Sequence, residues 1–190
     1  DQYRVFYPGL VEPTKVSKEA ARQQFDMAAG EIYVAYVGRM TAIKRPDRLL
    51  DTAAEIKARN LPVQFIVAGE GDLFEATKKD AAIRELPVRF LGWRKDIGAL
   101  FAASDIAILT SDNEGIPLTL IQAAQASLPI VSTGVGSIGD IVVHEVNGYL
   151  VDSEPAALGD ALQKLAIDPV LREIMGKACL LYTSDAADEG

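Results

Sequence analysis

Two basic side chains follow the first apolar run of the sequence. Arg39 and Lys44 lie in the stretch GRMTAIKRP, at the end of the run IYVAYVGRM (32–40). A guanidinium fork and an ammonium point charge on one short loop suit a diphosphate. Two solvated charges at the start of a helix explain the same pattern about equally well. Because cations at a helix N-terminus oppose the macrodipole, the pattern slightly favours an anionic ligand.

A carboxylate precedes a helical pattern in the stretch TSDNEGIPLTLIQAAQA. Glu114 can accept hydrogen bonds from sugar hydroxyls. The backbone of Gly115, Ile116 and Pro117 leads into the helix, where free N–H groups can bind phosphate or sugar oxygens. Gln122 is expected about two turns into that helix, on roughly the same side as Glu114. The alternative is a glutamate that only complements the helix dipole.

Short apolar runs alternate with amphipathic segments along the chain. The runs are typical of buried parallel strands and cover 32–40, 63–71, 88–93, 105–111, 128–134 and 148–151. The helical patterns cover 17–28, 45–60, 72–86, 95–104, 117–127, 153–168 and 169–178, with Pro46 in a first turn and Ser153 as an N-cap. This order predicts an α/β fold, a doubly wound Rossmann-like parallel sheet with helices on both faces.

The predicted fold determines where a ligand binds. Ligands of such sheets lie outside the carboxyl ends of the strands, where the loops with Arg39, Lys44 and Glu114 also lie. We therefore expect a diphosphate between the ends of the first and fourth strands. Neither of the first two strands is followed by the dinucleotide fingerprint G-x-G-x-x-G, which argues against a dehydrogenase.

Composition excludes several classes of protein. The chain has 190 residues, a net charge of −8 and a single cysteine. The negative charge disfavours nucleic acid as a partner, and one cysteine forms no disulfide framework. No run reaches the roughly 20 apolar residues of a membrane-spanning helix, and no signal peptide is expected at the start. His144, the only histidine, is expected to be a surface residue near a helix end and neither a ligand nor a base.

Together these stretches resemble the C-terminal, nucleotide-sugar-binding half of the retaining glycosyltransferases of family 4, which are two-domain GT-B enzymes. The resemblance runs from about Tyr7 to Ala178. It rests on the order and spacing of YPGL (7–10), VGRMTAIKRPDRLL, VAGEGDL, VRFLGWRKDI, SDIAILTSDNEGIPLTLIQAAQASLPIVST, VGSIGDIV and NGYLV.

The resemblance implies roles for individual residues. Arg39 and Lys44 match the cation pair that binds the donor diphosphate, and Trp93 matches the loop along the nucleobase. Glu114 matches the first acid of the family's E-x7-E motif, which faces the donor sugar. Its replacement by alanine is therefore expected to leave nucleoside diphosphate binding nearly unchanged.

The resemblance also covers the segment after Glu114. Gly115, Ile116 and Pro117 match the backbone turn beneath sugar and phosphate. Gln122 stands where the family has its second acid, which binds the ribose hydroxyls. An amide oxygen accepts such a hydrogen bond without charge assistance, a loss of about 1 kcal/mol.

The last residues, CLLYTSDAADEG, break the pattern. We interpret residues 1–178 as one donor-binding domain. Residues 179–190 are interpreted as a non-native tail, because they can be encoded by a sequence resembling a transposase-type sequencing adapter.

The resemblance implies that the parent protein transfers a sugar from a nucleotide diphosphate sugar to an acceptor hydroxyl with retention. The fragment is expected to bind the donor and to show negligible transfer, since the acceptor, whether a glycan, a lipid or a small molecule, is bound through the missing N-terminal domain. No cofactor or metal is expected. The expected location is cytoplasmic, with peripheral attachment at the inner face of the membrane left open. Two alternatives remain: a non-catalytic nucleotide-sugar-binding module, favoured by Gln122, and a nucleotide-sugar epimerase.

Overall fold

The computed structural model describes residues 16–115 and 117–188, so the YPGL stretch (7–10) and Ile116 lie outside the described residues. The described part forms a six-stranded parallel sheet in the order β3-β2-β1-β4-β5-β6. The strands are β1 (Ile32–Val37), β2 (Val63–Ala68), β3 (Val88–Gly92), β4 (Ile106–Leu109), β5 (Ile130–Thr133) and β6 (Gly148–Val151). The predicted doubly wound parallel sheet is confirmed.

Helices connect the strands and cover both faces of the sheet. They are α1 (Lys18–Gln24), α2 (Pro46–Ala58), α3 (Phe74–Ile83), α4 (Ile97–Ala103), α5 (Leu118–Gln125), α6 (Pro155–Ile167) and α7 (Pro169–Asp188). Short 3-10 helices cover Ala42–Lys44 and Gly136–Asp140.

The start of α2 agrees with the prediction from the sequence, and the start of α6 does not. Pro46 is the first residue of α2, as its missing N–H predicts. The prediction that Ser153 caps α6 is wrong, because α6 begins at Pro155 and its N-cap is Glu154, with no side-chain cap hydrogen bond. The ring of Pro155 favours a helix start at that residue, one position too late for Ser153 to be the cap.

The core lies on both sides of the sheet because consecutive strand residues point to opposite faces. In β1, Val34 and Tyr36 join the cluster formed with α2 and α6, whereas Ala35 packs on the other face in the cluster that includes α5. All three side chains are buried. This two-sided burial explains why the strands appear in the sequence as continuous apolar runs.

The strand order reverses between β1 and β4, which pair directly through Val34 with Ile106 and Ala35 with Ala107. Such a reversal opens a crevice at the carboxyl ends of the two strands, where ligands of these sheets bind. The neighbouring loops approach closely. A Cβ on Gly69, whose φ is +137°, would lie 1.9 Å from the carbonyl oxygen of Gly38. Only glycine fits that position without displacing the backbone.

Helix α7 extends beyond the end predicted from the sequence, Ala178, and runs to Asp188. Cys179 is fully buried within this helix, and its thiol donates a hydrogen bond to the carbonyl oxygen of Asn147 at 2.9 Å. Burial raises the pKa of the Cys179 thiol to about 12. The non-native origin of residues 179–190 stays a prediction.

Candidate functional site

The loop after β1 is held against the end of β4 by hydrogen bonds to its backbone. The Thr110 hydroxyl donates to the carbonyl oxygen of Lys44 at 3.0 Å. The amide of Asp112 donates to the carbonyl oxygen of Ile43 at 2.9 Å. These contacts place the Lys44 side chain beside the residues that follow β4.

Two arginines of the same loop and helix strengthen this attachment. Arg48, which is buried, donates to the carbonyl oxygen of Thr110 at 2.6 Å and to the Asp112 carboxylate at 2.7 Å. Arg45, in the left-handed conformation with φ +51°, also pairs with Asp112, at 3.1 Å. The hydrogen bond from Arg48 is the main reason why the pKa of Asp112 is lowered. Both arginines therefore build the site by joining its two loops.

The two loops bring Lys44 and Glu114 into direct contact. Lys44 Nζ lies 2.5 Å from Glu114 Oε1, and the two side chains are only 19% and 8% exposed. The Ser111 hydroxyl donates to the same carboxylate oxygen at 2.6 Å. Burial first, and the Glu114 charge second, raise the pKa of the nearby Tyr36 hydroxyl. A charged pair of this kind can exchange its internal contact for phosphate and hydroxyl groups of a ligand.

Arg39 differs from Lys44 in its surroundings. Arg39 is exposed, and within the described ranges its guanidinium group has no hydrogen-bond or ion-pair partner. Its carbonyl oxygen accepts a hydrogen bond from the Thr41 amide at 3.1 Å. The two cations predicted to act together are therefore in different states, one paired with a carboxylate and one open to solvent.

The turn after Glu114 packs against the loop that follows β5. A Cβ on Gly136, whose φ is +57°, would lie 1.9 Å from the Glu114 carbonyl oxygen. That oxygen accepts a hydrogen bond from the Ser137 amide at 3.3 Å. Gly115 has open space where a side chain would stand. The backbone of Glu114 is thus fixed from the β5 side.

Helix α5 begins directly after this turn. Pro117 is its N-cap, with φ −76° and ψ 99°, and no side chain caps the first turn or places an acid there. The amides of Leu120 and Ile121 donate to the Pro117 carbonyl oxygen. The first two amides of α5, those of Leu118 and Thr119, have no partner among the described residues and are available for oxygen atoms of a ligand. Ile116 was assigned to the same turn and lies outside the described residues.

Gln122 lies nearer the start of the helix than the sequence predicts. It is the fifth residue of α5, which spans Leu118–Gln125, so it lies little more than one turn into the helix instead of two. The reason is that the helix begins only after Pro117. Gln122 lines an open groove of about 900 Å³ that runs along α4 and α5 and reaches the amino ends of β4 and β5 at Asp105 and Pro129, away from Glu114. In the described part of the chain no hydrogen bond joins Gln122 to Glu114.

Trp93 lies in the same β3–α4 loop and is 62% exposed. Its backbone amide donates to the Glu70 carboxylate at 3.4 Å, and Lys95 Nζ lies 5.6 Å from the centre of its indole ring. An exposed indole at the carboxyl edge of the sheet offers a flat apolar surface on which a base can stack.

The histidine and the acidic side chains outside the pair of Lys44 and Glu114 form no metal site in the described ranges. His144 is exposed as predicted, and its Nδ1 accepts a hydrogen bond from the Leu150 amide at 3.2 Å. Within residues 16–115 and 117–188, no three His, Cys, Asp or Glu side chains are grouped so that they could hold a metal ion. Among the helices of these ranges, none combines the length and the apolar character that crossing a membrane requires.

Ser111 is the functional candidate that the sequence did not reveal. It stands only three residues before Glu114 in TSDNEG, but serine is common in loops and its spacing carries no signal. Its contact with the Glu114 carboxylate appears only when the loop conformation is known.

Comparison with known proteins gives a consistent result. Residues 17–179 match the family model described as glycosyl transferases group 1. A D-inositol 3-phosphate glycosyltransferase of Pseudarthrobacter chlorophenolicus is 26% identical over 200 residues, covering 98% of this chain and 47% of the relative. An Escherichia coli UDP-Gal:alpha-D-GlcNAc-diphosphoundecaprenol alpha-1,3-galactosyltransferase is 31% identical over 150 residues, covering 75% of this chain and 38% of the relative. The chain therefore spans less than half the length of these two relatives.

Solved structures show the same fold. Anabaena Alr3699/HepE in complex with UDP superposes with a TM-score of 0.80 at 25% identity, over 88% of this chain and 48% of that one. The C-terminal domain of a Francisella tularensis glycosyl transferase group 1 family protein, LpcC, has a TM-score of 0.79 at 19% identity and covers 92% of this chain and 94% of its own. At that identity the second likeness shows the fold alone.

Proposed function

The chain belongs to the glycosyl transferases group 1 family, and from that premise we propose that it is the donor-binding half of a retaining, family 4 enzyme of the GT-B type. In the proposed reaction the parent protein transfers a sugar from a nucleotide diphosphate sugar to an acceptor hydroxyl. A relative named for the use of UDP-Gal and a structural neighbour in complex with UDP support a donor of this class.

One observation carries the proposal. At the crevice between β1 and β4, two loops that are distant in sequence place a lysine and a glutamate in contact, and both side chains are largely removed from water. A diphosphate needs cations and a sugar needs hydrogen-bond acceptors, and this pair supplies one of each at one point.

The proposed roles follow from exposure and position. Arg39, which is open to solvent, and Lys44 bind the diphosphate, assisted by the amides at the start of α5. Glu114 is the catalytic residue that faces the donor sugar. Gly115 and Pro117 belong to the turn that we place beneath sugar and phosphate, and the resemblance assigns Ile116 to the same turn.

The nucleoside half of the donor is assigned to the neighbouring loop. Trp93 lies along the nucleobase, and Gln122 hydrogen-bonds a ribose hydroxyl. The resemblance supports this assignment, since Trp93 and Gln122 stand at the family's nucleobase loop and ribose-binding position.

We further propose that the reaction needs no metal or other cofactor, with Arg39 and Lys44 balancing the negative charge that develops on the leaving diphosphate. The acceptor is bound by the missing half of the parent, which is placed in the cytoplasm or at the inner face of its membrane. If a chelator abolishes the transferase activity of the parent and magnesium or manganese restores it, the reaction depends on a metal and this proposal is wrong.

The first experiment is a calorimetric titration of the chain with UDP, GDP and ADP and with their common sugar conjugates. A ligand at 100 times its Kd also raises the stability of the fold by about 2.7 kcal/mol, which a thermal shift detects. Absence of binding by every nucleotide refutes the donor-binding role. Efficient sugar transfer by residues 1–178 alone refutes the claim that this is only half of the active unit.

Gln122 favours a second candidate, a module that binds nucleotide sugars without transferring them. An amide in place of the ribose-binding acid weakens donor binding, as expected where catalysis has been lost. Incubation of the full-length parent with a labelled donor separates the candidates. Transferred label supports the transferase, bound but unchanged donor supports the module, and an epimerised sugar supports an epimerase.

A further inference from the structure

Both side-chain hydrogen bonds that reach the Glu114 carboxylate end on the same oxygen. Lys44 Nζ and Ser111 Oγ lie 2.5 and 2.6 Å from Oε1. Among the described residues no donor contacts Oε2. The carboxylate is therefore held by one oxygen, and its other oxygen remains available to a ligand.

Ser111 is itself fixed by the sheet. It is fully buried, and its carbonyl oxygen accepts a hydrogen bond from the Thr133 hydroxyl at 2.7 Å. Thr133 is the last residue of β5 and is also fully buried. A rigid strand end thus determines where the Ser111 hydroxyl lies, and the hydroxyl determines where Glu114 Oε1 lies.

The two donors to Oε1 respond differently to a bound donor substrate. Lys44 can exchange its partner, because a diphosphate attracts the same ammonium group that pairs with Glu114 in the structure. The Ser111 hydroxyl is uncharged and fully buried, so a bound phosphate competes for it less than for the ammonium group of Lys44. Once Lys44 turns to the phosphate, Ser111 is the remaining hold on Glu114.

We propose that Ser111 is a positioning residue that keeps the Glu114 carboxylate oriented toward the donor sugar when the diphosphate engages Lys44. This inference rests on the proposed function. It assigns to Ser111 the discrimination between a nucleotide sugar and the same nucleotide without its sugar, and it assigns to Lys44 and Arg39 the affinity for the diphosphate.

The test measures how much the sugar adds to affinity, as the Kd of each nucleoside diphosphate divided by that of its sugar conjugate. Calorimetry of the 190-residue chain with UDP and UDP-glucose, GDP and GDP-mannose, and ADP and ADP-glucose supplies this ratio. Ser111→Ala is expected to lower the ratio by about tenfold, near the lower limit of a hydrogen bond to a charged group, and to leave nucleoside diphosphate affinity within about twofold of wild type.

A matched control and a second variant keep the result interpretable. Ser104→Ala makes the same change at the other end of β4, where the buried hydroxyl donates to the Leu100 carbonyl oxygen, and should leave the ratio unchanged. Thr133→Val removes the hydrogen bond to the Ser111 carbonyl with little change of shape. It should lower the ratio in the same direction and to a smaller extent, and it replaces Ser111→Ala should that variant not fold.

A double-mutant cycle separates positioning from a general structural effect. In a Glu114→Ala background, Ser111→Ala should no longer change the ratio, because the group it positions is gone. Equal effects in both backgrounds overturn the inference. If Ser111→Ala and Thr133→Val both leave the ratio at the wild-type value, the positioning role of Ser111 is overturned and the proposed function is not. The same holds if the wild-type ratio is one for every nucleotide and its sugar conjugate. If the wild-type chain binds none of these nucleotides, both the inference about Ser111 and the proposed function are overturned.

Discussion

The contact between Lys44 and Glu114 predicts that Glu114→Gln tightens the binding of nucleoside diphosphates. The sequence alone suggests no effect, because a residue that faces the sugar has no part in diphosphate affinity. In the structure, however, Glu114 lies 2.5 Å from the ammonium group of Lys44, which we propose binds the diphosphate. A ligand must therefore displace Glu114 before it gains Lys44.

The magnitude follows from the kinds of hydrogen bond exchanged. A hydrogen bond to a charged group contributes about 1.5–3 kcal/mol and a neutral one about 0.5–1.5 kcal/mol. Glutamine at position 114 still accepts from Lys44 but releases it at a cost lower by about 1–1.5 kcal/mol. This corresponds to a roughly five- to tenfold lower Kd for the nucleoside diphosphate. Lys44→Ala should act in the opposite direction, since it removes the cation and leaves Glu114 unpaired beside the phosphates.

The assay is calorimetric titration of wild type and variant with the nucleoside diphosphate that binds, at low ionic strength because salt screens such charges. Asp152→Asn is the matched control. Asp152 follows β6 at the same edge of the sheet, is exposed, and has no contact with Lys44, so its replacement measures the effect of removing one negative charge. An affinity of Glu114→Gln equal to wild type, or weaker, refutes the reasoning. So does an equal gain in Asp152→Asn.

Four further outcomes are expected. Arg39→Ala should weaken nucleoside diphosphate binding by roughly 10- to 150-fold in calorimetry, with little change in the unfolding midpoint since the residue is exposed. Gln122→Glu should tighten nucleotide binding through a charge-assisted ribose contact, and an unchanged Kd argues against that contact. The pKa of Asp112 is lowered in the fold by its arginine partners, so its contribution to stability is complete above its unfolded pKa of about 3.9 and is lost as pH falls through the folded value. Urea unfolding should accordingly show a difference between wild type and Asp112→Asn at pH 7 that shrinks as the pH falls below the unfolded pKa of about 3.9. Gly136→Ala should destabilise the fold by more than about 1 kcal/mol, because its φ is +57° and the new Cβ meets the Glu114 carbonyl oxygen; an unfolding free energy equal to wild type contradicts this account.

The amino-acid sequence by itself determined the class of fold and the edge of the sheet at which the candidate site lies. Alternating apolar runs and amphipathic segments are local patterns. Strands buried on both faces of a parallel sheet appear as continuous apolar runs, so they can be recognised in the sequence alone. The start of α2 at Pro46 is equally local, since it depends on one missing N–H. Arg39, Lys44 and Glu114 are predictable because each lies at or shortly after the end of a predicted strand, and parallel strands bring such residues to one edge.

Tertiary structure alone decided which of these residues meet. Lys44 and Glu114 are 70 residues apart, and their contact depends on β1 and β4 being neighbours and on Arg45 and Arg48 joining the two loops. The hold of Ser111 on Glu114 likewise depends on the conformation of a loop that no periodicity describes. Charge pairing acts through space over a few ångströms, whereas sequence patterns record only distance along the chain. The sequence therefore indicates which charged groups are candidates. Only the folded chain shows that Lys44 is paired with Glu114 while Arg39 faces solvent.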